Sequence, residues 1–435
     1  MKKTLLALAV TLSPALLAQN VGNFSGPSIL SQGANTIGQR SGEDVDLRVY
    51  ANAAGIYDTG LVPYEVKNGS LVKPDPLWGV EAGLGAYGRH SFRRSVLGLD
   101  YTGNFRHYTR ASNYDGANQS LRLGYTWQKS RRLLVDMTGT ASTQTYGTVV
   151  PGGSDSLATG NSLLFDNRTN YLQGGMNVSY SLSNRTSVTM GGSGYTVRRK
   201  AAGLAGVNGY TLNGSVHRQF TRNLILGASY QHTHYDFPKA FGESDLNGYS
   251  AIFSYQFLRT WKLDLTAGVY TSEVQGVQST ALDPTIAALL GVGSVQTIFY
   301  RTNILPSGTA SLSKTFRKSS FTASYVRTVM PGNGFFLTSR QESYGGGYSY
   351  SGIRRWTLSL NASSSDLRAL GQQLQRYRYL TAGATVNYRL GADVNVYASY
   401  MRRQQDLAST FFQRDSSRVS IGIAFQPGNI PLSFR

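Results

Sequence analysis

Cysteine is absent from all 435 residues. That excludes a disulfide scaffold and a thiolate-held zinc site, while leaving the redox compartment open. Histidine is scarce, with five copies, which leaves little material for a histidine-ligated metal or a base-driven hydrolase. Acidic residues are also few, 23 against 42 Lys and Arg, and the formal charge is +19. Long apolar runs are missing as well. The one strong run, around Thr4–Val10, is about half of the ~20 residues that a membrane-crossing helix needs. Mean hydropathy is −0.24 and only 40% of residues are apolar. Disorder does not follow, because disordered chains are poor in aromatics and this one has 28 Tyr and 11% aromatic residues.

A hairpin unit recurs from about residue 80 onward. Its turns align as YTWQKSRRLLV (125–135), YSLSNRTSVTM (180–190), HRQFTRNLILG (217–227), YQFLRTWKLDL (255–265), LSKTFRKSSFTA (312–323), YSYSGIRRWTLSL (348–360) and YRLGADVNVYA (388–398). Apolar residues at every second position on both sides of a short connection are the signature of strands joined by hairpins. The pattern predicts strands over 45–58, 79–89, 92–108, 116–128, 131–146, 166–182, 186–199, 207–220, 222–236, 244–258, 260–275, 295–315, 318–330, 341–351, 353–366, 375–390, 392–405 and 416–427. That makes about eighteen, or sixteen if the first, interrupted by Gly55 and Pro63, is set aside with a partner.

Met1, Lys2 and Lys3 precede the apolar run, Pro14 breaks it, and Ala18 precedes Gln19, so residues 1–18 read as a secretory signal peptide. Residues 19–44, rich in Gly, Ser, Asn and Gln, read as a flexible periplasmic tail, and 45–435 as one barrel domain. Loss of Lys2 and Lys3 with the leader brings the charge to +17. Export, alternation and the lack of a helical span together point to an all-β, transmembrane antiparallel up-and-down barrel with short periplasmic turns and long extracellular loops. In such a barrel every backbone polar group pairs between strands. The alternative is a soluble periplasmic β protein.

Alternation separates two faces. Leu121, Leu123, Tyr125 and Trp127 oppose Arg122, Gly124 and Thr126, and Trp261, Leu263, Leu265 and Ala267 oppose Lys262, Asp264, Thr266 and Gly268. One face suits lipid and the other water. Tyr125, Trp127, Tyr180, Tyr255, Phe257, Trp261, Tyr350, Trp356 and Tyr388 lie beside short turns and are expected to form an interfacial aromatic girdle. Arg122, Lys262, Arg389 and Arg418, joined near the loops by Arg198, Arg376, Arg378 and Arg403, are the expected lumen cations, offset in part by Asp100, Asp136 and Asp264. Fixed positive charge in a narrow aqueous channel concentrates anions and repels cations. Pairing of these charges as a brace across the lumen is the competing reading.

The long connections are expected outside. Residues 283–293 (DPTIAALLGVG) lack alternation and read as a short helix folded into the lumen or as a packed loop, and residues 59–78, with Pro63, Pro74 and Pro76, as extended chain. No catalytic motif stands out. GLGAYG (83–88) sits on an alternating strand with no helix after it, and Gly345–Gly347 lacks the Lys of a phosphate loop. His232 and His234, with Asp236 nearby, are a weak metal candidate with no evident third ligand, and His107, His217 and His232 show no triad spacing. No metal and no cofactor is expected.

The leader, the hairpin repeat and the closing strand RVSIGIAFQP followed by IPLSFR resemble bacterial outer-membrane β-barrel proteins, and among them the poorly characterised porin-like barrels, some of which are linked to exopolysaccharide export. The resemblance implies a passive outer-membrane channel and no enzyme. Combined with the charge, it suggests anionic solutes or an acidic polysaccharide, the latter as in the alginate exporter. It also implies contact with outer-membrane lipid and lipopolysaccharide, and insertion by barrel-assembly machinery that reads the last strand. The usual terminal aromatic is replaced by Phe434 followed by Arg435, leaving Phe425 and Phe434 as candidates for that signal. A structural or adhesive barrel with a blocked lumen is the alternative and a surface hydrolase a remote one. Nucleic acid is not expected as a partner, and oligomeric state is not readable from the sequence.

Overall fold

The structure, a computed structural model, describes residues 47–427 except 61–64, 68–69, 73–74, 111–114, 146–167, 201–203, 239, 258–259, 282–293, 332–336, 371–375 and 408–411. The leader, the 19–44 tail, the 283–293 segment and Phe434 therefore lie outside the described residues. The first strands are β1 (Arg48–Thr59), a small hairpin of β2 (Glu65–Lys67) and β3 (Ser70–Val72), β4 (Leu77–Ser91), β5 (Ser95–Tyr108), β6 (Gly116–Gln128) and β7 (Leu133–Gln144). There follow β8 (Thr169–Ser181), β9 (Thr186–Arg199), β10 (Val207–Gln219), β11 (Leu224–Asp236), β12 (Gly242–Phe257), β13 (Trp261–Ala281) and β14 (Ser294–Thr315). The last are β15 (Ser319–Pro331), β16 (Thr338–Tyr350), β17 (Trp356–Ala369), β18 (Arg376–Arg389), β19 (Val394–Leu407) and β20 (Phe412–Phe425).

All but β2 and β3 join one antiparallel sheet of 18 strands. The sheet closes because β1 pairs with β4 on one side and with β20 on the other, from Ala51↔Phe425 to Thr59↔Ser417. Closure gives every barrel strand a partner on both sides, which answers the hydrogen-bonding demand that a bilayer makes on a backbone. Among the described residues no helix is long and apolar enough to cross a membrane.

The recurring basic turns have a common chemistry. Ser130 Oγ accepts from the amides of Arg132 and Leu133 at 3.2 and 3.1 Å, Ser183 Oγ from Arg185 and Thr186 at 3.2 and 3.1 Å, and Thr221 Oγ1 from Asn223 and Leu224 at 3.3 and 3.1 Å. A hydroxyl at the first turn position thus reverses the chain, and the arginines beside it are left pointing into solvent.

Within 59–78, expected to be extended, Glu65–Lys67 and Ser70–Val72 are extended strands that pair as the β2–β3 hairpin. One stretch departs from the sequence reading. β13 runs on to Ala281, beyond the expected end at 275, paired with β14 as far as Ala281↔Ser294. The β14–β15 ladder stops at Gly308↔Arg327, close to Pro306, which has no N–H to donate. Beyond that point β14 pairs with β13 alone, as a ribbon past the barrel rim.

On the inner side of the loop end, Tyr171, Val197, Val207, Tyr235, Phe237, Leu246 and Val329 form an apolar cluster, with Leu305, Leu337 and Leu370 against it. Ser244 of β12 and Thr338, the first residue of β16, meet at 2.5 Å although three strands separate them in the sheet, so this end of β16 leans across the interior. This packing fills one side of the lumen.

Gly60, at the end of β1, has φ of +70°, and a Cβ there would sit 2.2 Å from the Asp415 carbonyl oxygen. Both the conformation and the space require glycine. Gly60→Ala is expected to cost about 1–3 kcal/mol, measured as a lowered urea midpoint for unfolding of the detergent-refolded barrel, whereas Gly139→Ala, with open space around it, is expected to leave the midpoint within error.

Candidate functional site

The inner face identifies itself through contacts that skip a strand, which only a concave wall permits. Arg418 of β20 reaches Glu81 of β4 over β1, Asn52 of β1 reaches the Tyr397 hydroxyl of β19 over β20 at 3.2 Å, and Tyr50 of β1 reaches Thr102 of β5 over β4 at 3.1 Å. The opposite parity carries the exposed apolar side chains, among them Leu123, Met176, Leu212, Tyr249, Ile421 and Ile423. A globular protein in water does not expose this much apolar surface in one belt.

Charge is concentrated on the inner wall where the first and last strands meet. Glu81 accepts from Arg106 Nε and Nη2 at 3.2 and 3.0 Å and also from Arg418. Arg418 Nε lies 3.9 Å from Asp58, which accepts the Tyr108 hydroxyl in turn. Arg414, nearly buried on β20, donates from Nε to the Gly60 carbonyl at 2.9 Å. Arg403 projects from the inner face of β19 towards this group, and deeper in the barrel Arg122 stands opposite Asp100 in the β5–β6 register. Five arginines (Arg106, Arg122, Arg403, Arg414 and Arg418) thus face four carboxylates (Asp58, Glu81, Asp100 and, on the inner face of β7, Asp136), and the wall keeps a positive surplus. A cavity of about 200 Å³ opens on it, lined by Asn52, Glu81, Thr102, Asn104, Tyr397 and Arg418 among others.

The apolar cluster on β8–β15 lies diametrically across from this wall in strand order. At the loop end the interior therefore has one side lined by several arginines and one mainly apolar, tyrosine-rich side, into which Arg199 is buried. Guanidinium groups of the first side can grip a carboxylate or phosphate, and the rings of the second can cover a hydrocarbon body.

Of the expected lumen cations, Arg122, Arg403 and Arg418 take the inner face as described. Lys262 is inward as well, at the short-turn end, 3.0 Å from Asp264. Arg389 is inward beside its turn and donates to the carbonyls of Gly391 and Ala392 at 3.0 and 3.2 Å. Arg198, Arg376 and Arg378 are corrections: the ladders put all three on the outer face, Arg198 opposite Asn170 and Arg376 and Arg378 opposite Arg368 and Asp366. The inward residues are their neighbours, Arg199, which donates to the Ala205 carbonyl, and Tyr377, which is buried. Arg106, Arg414, Glu81 and Asp58 went unnoticed in the sequence. Counting back in twos from Phe425 as an outward residue puts Arg414 on the same side as Arg418 and was the available signal.

The nine aromatic residues beside short turns all take the outer face. Phe257 stacks on Trp261 with ring centres 5.6 Å apart and on Tyr255 at 5.9 Å, Trp356 meets Tyr388 at 4.7 Å, and Lys314 Nζ lies 4.3 Å from the Trp261 ring. His232 and His234 also face outward. Their Nδ1 atoms pair with Asn247 and Asp245 at 3.0 and 2.9 Å and their rings flank Tyr210, and no cluster of three or more potential metal ligands occurs among the described residues. His107 pairs with Asp115 at 2.6 Å on the rim, and His217 Nε2 lies 2.9 Å from Ser215 Oγ inside, with no carboxylate orienting the ring among the described residues.

The chain matches no protein-family model and no curated protein. Solved structures with some similarity are the Pseudomonas aeruginosa protein OccK5 (OpdH), at 13% identity, covering 88% of this chain and 98% of that one with a TM-score of 0.40, and OccK2 (OpdF) of the same organism, crystallised in complex with glucuronate, at 12% identity, 88% and 98% coverage and a TM-score of 0.41. OccAB2 of Acinetobacter baumannii is 12% identical, with 88% and 100% coverage and a TM-score of 0.41.

Proposed function

We propose that the protein is an outer-membrane channel that passes small anionic solutes by passive diffusion. The observation that carries this reading is the positive surplus on the inner wall of a closed barrel, Arg106, Arg122, Arg403, Arg414 and Arg418 against Asp58, Glu81, Asp100 and Asp136. Water in the lumen is poor in volume and bounded by low-dielectric protein, so each fixed charge acts over a longer distance than at an open surface. The belt of exposed apolar residues on the outer parity supports a bilayer as its surroundings, and the aromatic residues at the short-turn end suit the headgroup level. An acidic polysaccharide calls for the same charge but a wider passage. The apolar cluster on β8–β15 narrows this one, which favours small carboxylates and phosphates over a polymer.

Reconstitution into a planar bilayer tests the proposal. Stable single-channel steps are expected, with a reversal potential in a KCl gradient that favours chloride. Silence at high protein load would instead support the adhesive barrel with a blocked lumen, and a reversal potential favouring potassium would overturn the anion preference.

A further inference from the structure

Towards the loop end β14 stays apolar on the outside after its neighbours have turned charged. Ile298, Tyr300 and Ile304 share the outward parity, are 55%, 73% and 75% exposed, and have only Thr302 of that parity among them. On β13 the outward face has by then passed from Val269 to Glu273, which stands opposite Thr302, and on β15 it has passed from Tyr325 to Arg327, opposite Gly308. The stripe therefore runs through a level at which the wall on either side suits water, and acyl chains do not account for it. It also borders an uncovered edge. The β14–β15 ladder stops at Gly308↔Arg327, so from Pro306 to Ser294 β14 pairs with β13 alone among the described residues. An exposed apolar stripe beside an open strand edge is a surface that proteins cover. The charges that flank it differ in sign. On one side Asp245 and Glu273 stand opposite each other, with Glu243 two residues nearer the loop. On the other, Arg327 of β15 and the opposed pair Arg340 and Arg368 of β16 and β17 outnumber Glu342 and Asp366.

We propose that this face pairs with a second copy of the same chain, stripe against stripe, about a two-fold axis along the membrane normal. The inference rests on the reading that the outer face lies in a membrane, and is independent of whether the lumen conducts. Two barrels inserted in the same sense form a closed pair about such an axis, and each then presents the same patch to the other. Charge complementarity selects the occupant. An apolar strip with carboxylates along one margin and arginines along the other is matched by the same strip turned through 180°: the carboxylates of each protomer face the arginines of its partner, and both margins are satisfied at once. The energetic gain comes from the stripe. Because Tyr300 and the two isoleucines lie above the acyl chains, covering them removes apolar surface from water, a driving force that a contact within the hydrocarbon lacks. The opposed charges at the margins set which face is met and exclude a pairing of like sectors.

Thr302→Cys, at the centre of the stripe of a chain with no cysteine of its own, tests the proposal in liposomes. Mild oxidation of the full-length protein is expected to give a disulfide-linked dimer, and Gln404→Cys, an exposed outward position on β19, to cross-link at least fivefold less. A charge swap is read by single-molecule photobleaching of dye-labelled protein. The wild type is expected to bleach in two steps. A chain carrying Asp245→Arg with Glu273→Arg, and one carrying Arg327→Glu with Arg340→Glu, are each expected to lose at least fivefold in dimer fraction, whereas an equal mixture of the two recovers it, since in the mixed pair both margins are again opposite in sign. The cysteine variant leaves the flanking charges intact, so a folding defect in a charge-reversed chain leaves the question decidable. Equal cross-linking at the two cysteine positions would mark random collision and overturn the proposal. So would a wild type that bleaches in one step or in three, or two folded charge-reversed chains that fail to recover the dimer on mixing. A barrel that pairs in this way yet is silent in planar bilayers would keep this inference and discard the channel.

Discussion

Replacing Arg122 and Arg403 together by glutamate is expected to turn the proposed anion-selective channel into a cation-selective one. Both side chains take the inner face, Arg122 opposite Asp100 and Arg403 opposite Thr381. A unit charge about 7 Å from the ion path contributes roughly 0.6 kcal/mol at the dielectric constant of water, and more beside a low-dielectric wall. Each substitution changes the local charge by two, and the change acts with opposite sign on chloride and potassium. Even with screening over about 10 Å at ~0.1 M salt, the permeability ratio is expected to fall by about tenfold or more and the reversal potential to change sign. Arg122→Gln with Arg403→Gln should give an intermediate ratio. A ratio that stays put would show that ions pass elsewhere than along this wall. Raising the salt to 1 M, where screening shortens to about 3 Å, is expected to erase most of the difference between the variants.

The largest effect on stability is expected at Glu81. Its carboxylate holds two arginines whose side chains are 2% and 13% exposed, Arg106 and Arg418, and those arginines come from opposite sides of the seam at which the barrel closes. With Glu81→Ala the two guanidinium groups lose the carboxylate they share, while Asp58 stays near Arg418. Removing one member of a buried ion pair costs about 3–5 kcal/mol, most of it the penalty for the charge left behind. Urea unfolding of the refolded barrel in liposomes measures this, and a loss below about 1 kcal/mol would show that lumen water already screens the group. Because the loss comes from stranded charge, Glu81→Met combined with Arg106→Met, which leaves Arg418 beside Asp58, is expected to recover a good part of it.

The strands were legible because their signal is local. Alternation and a turn hydroxyl recur in one hairpin after another, and the sheet follows that order around the barrel. β13 was read too short because GVQSTA, residues 276–281, has no alternation, its pairing with β14 being above the rim where neither face needs lipid. The same loss of contrast misplaced Arg198, Arg376 and Arg378. Within the apolar belt a charged residue signals the inner face, but past the belt both faces are wet and parity can no longer be read from polarity. The carboxylate centre of the site was illegible for a different reason: Glu81 and Arg418 are 337 positions apart and on strands that are not neighbours. Only closure of the sheet brings them together, and no window along the chain contains that information. Arg414 was missed because FFQRDSS, residues 411–417, reads as loop until the alternation of Val419, Ile421 and Ile423 is carried backwards through it.

A chain without cysteine is suited to the measurement that bears most directly on an aqueous interior within a lipid surround. Single cysteines placed in turn at residues 263–268 of β13, with the protein in liposomes, are exposed to a water-soluble maleimide that does not cross bilayers. Labelling at Asp264, Thr266 and Gly268 and protection at Leu263, Leu265 and Ala267 is the expected result, since these sets occupy the inner and outer parity of the strand. Uniform labelling, or labelling confined to the second set, would contradict it.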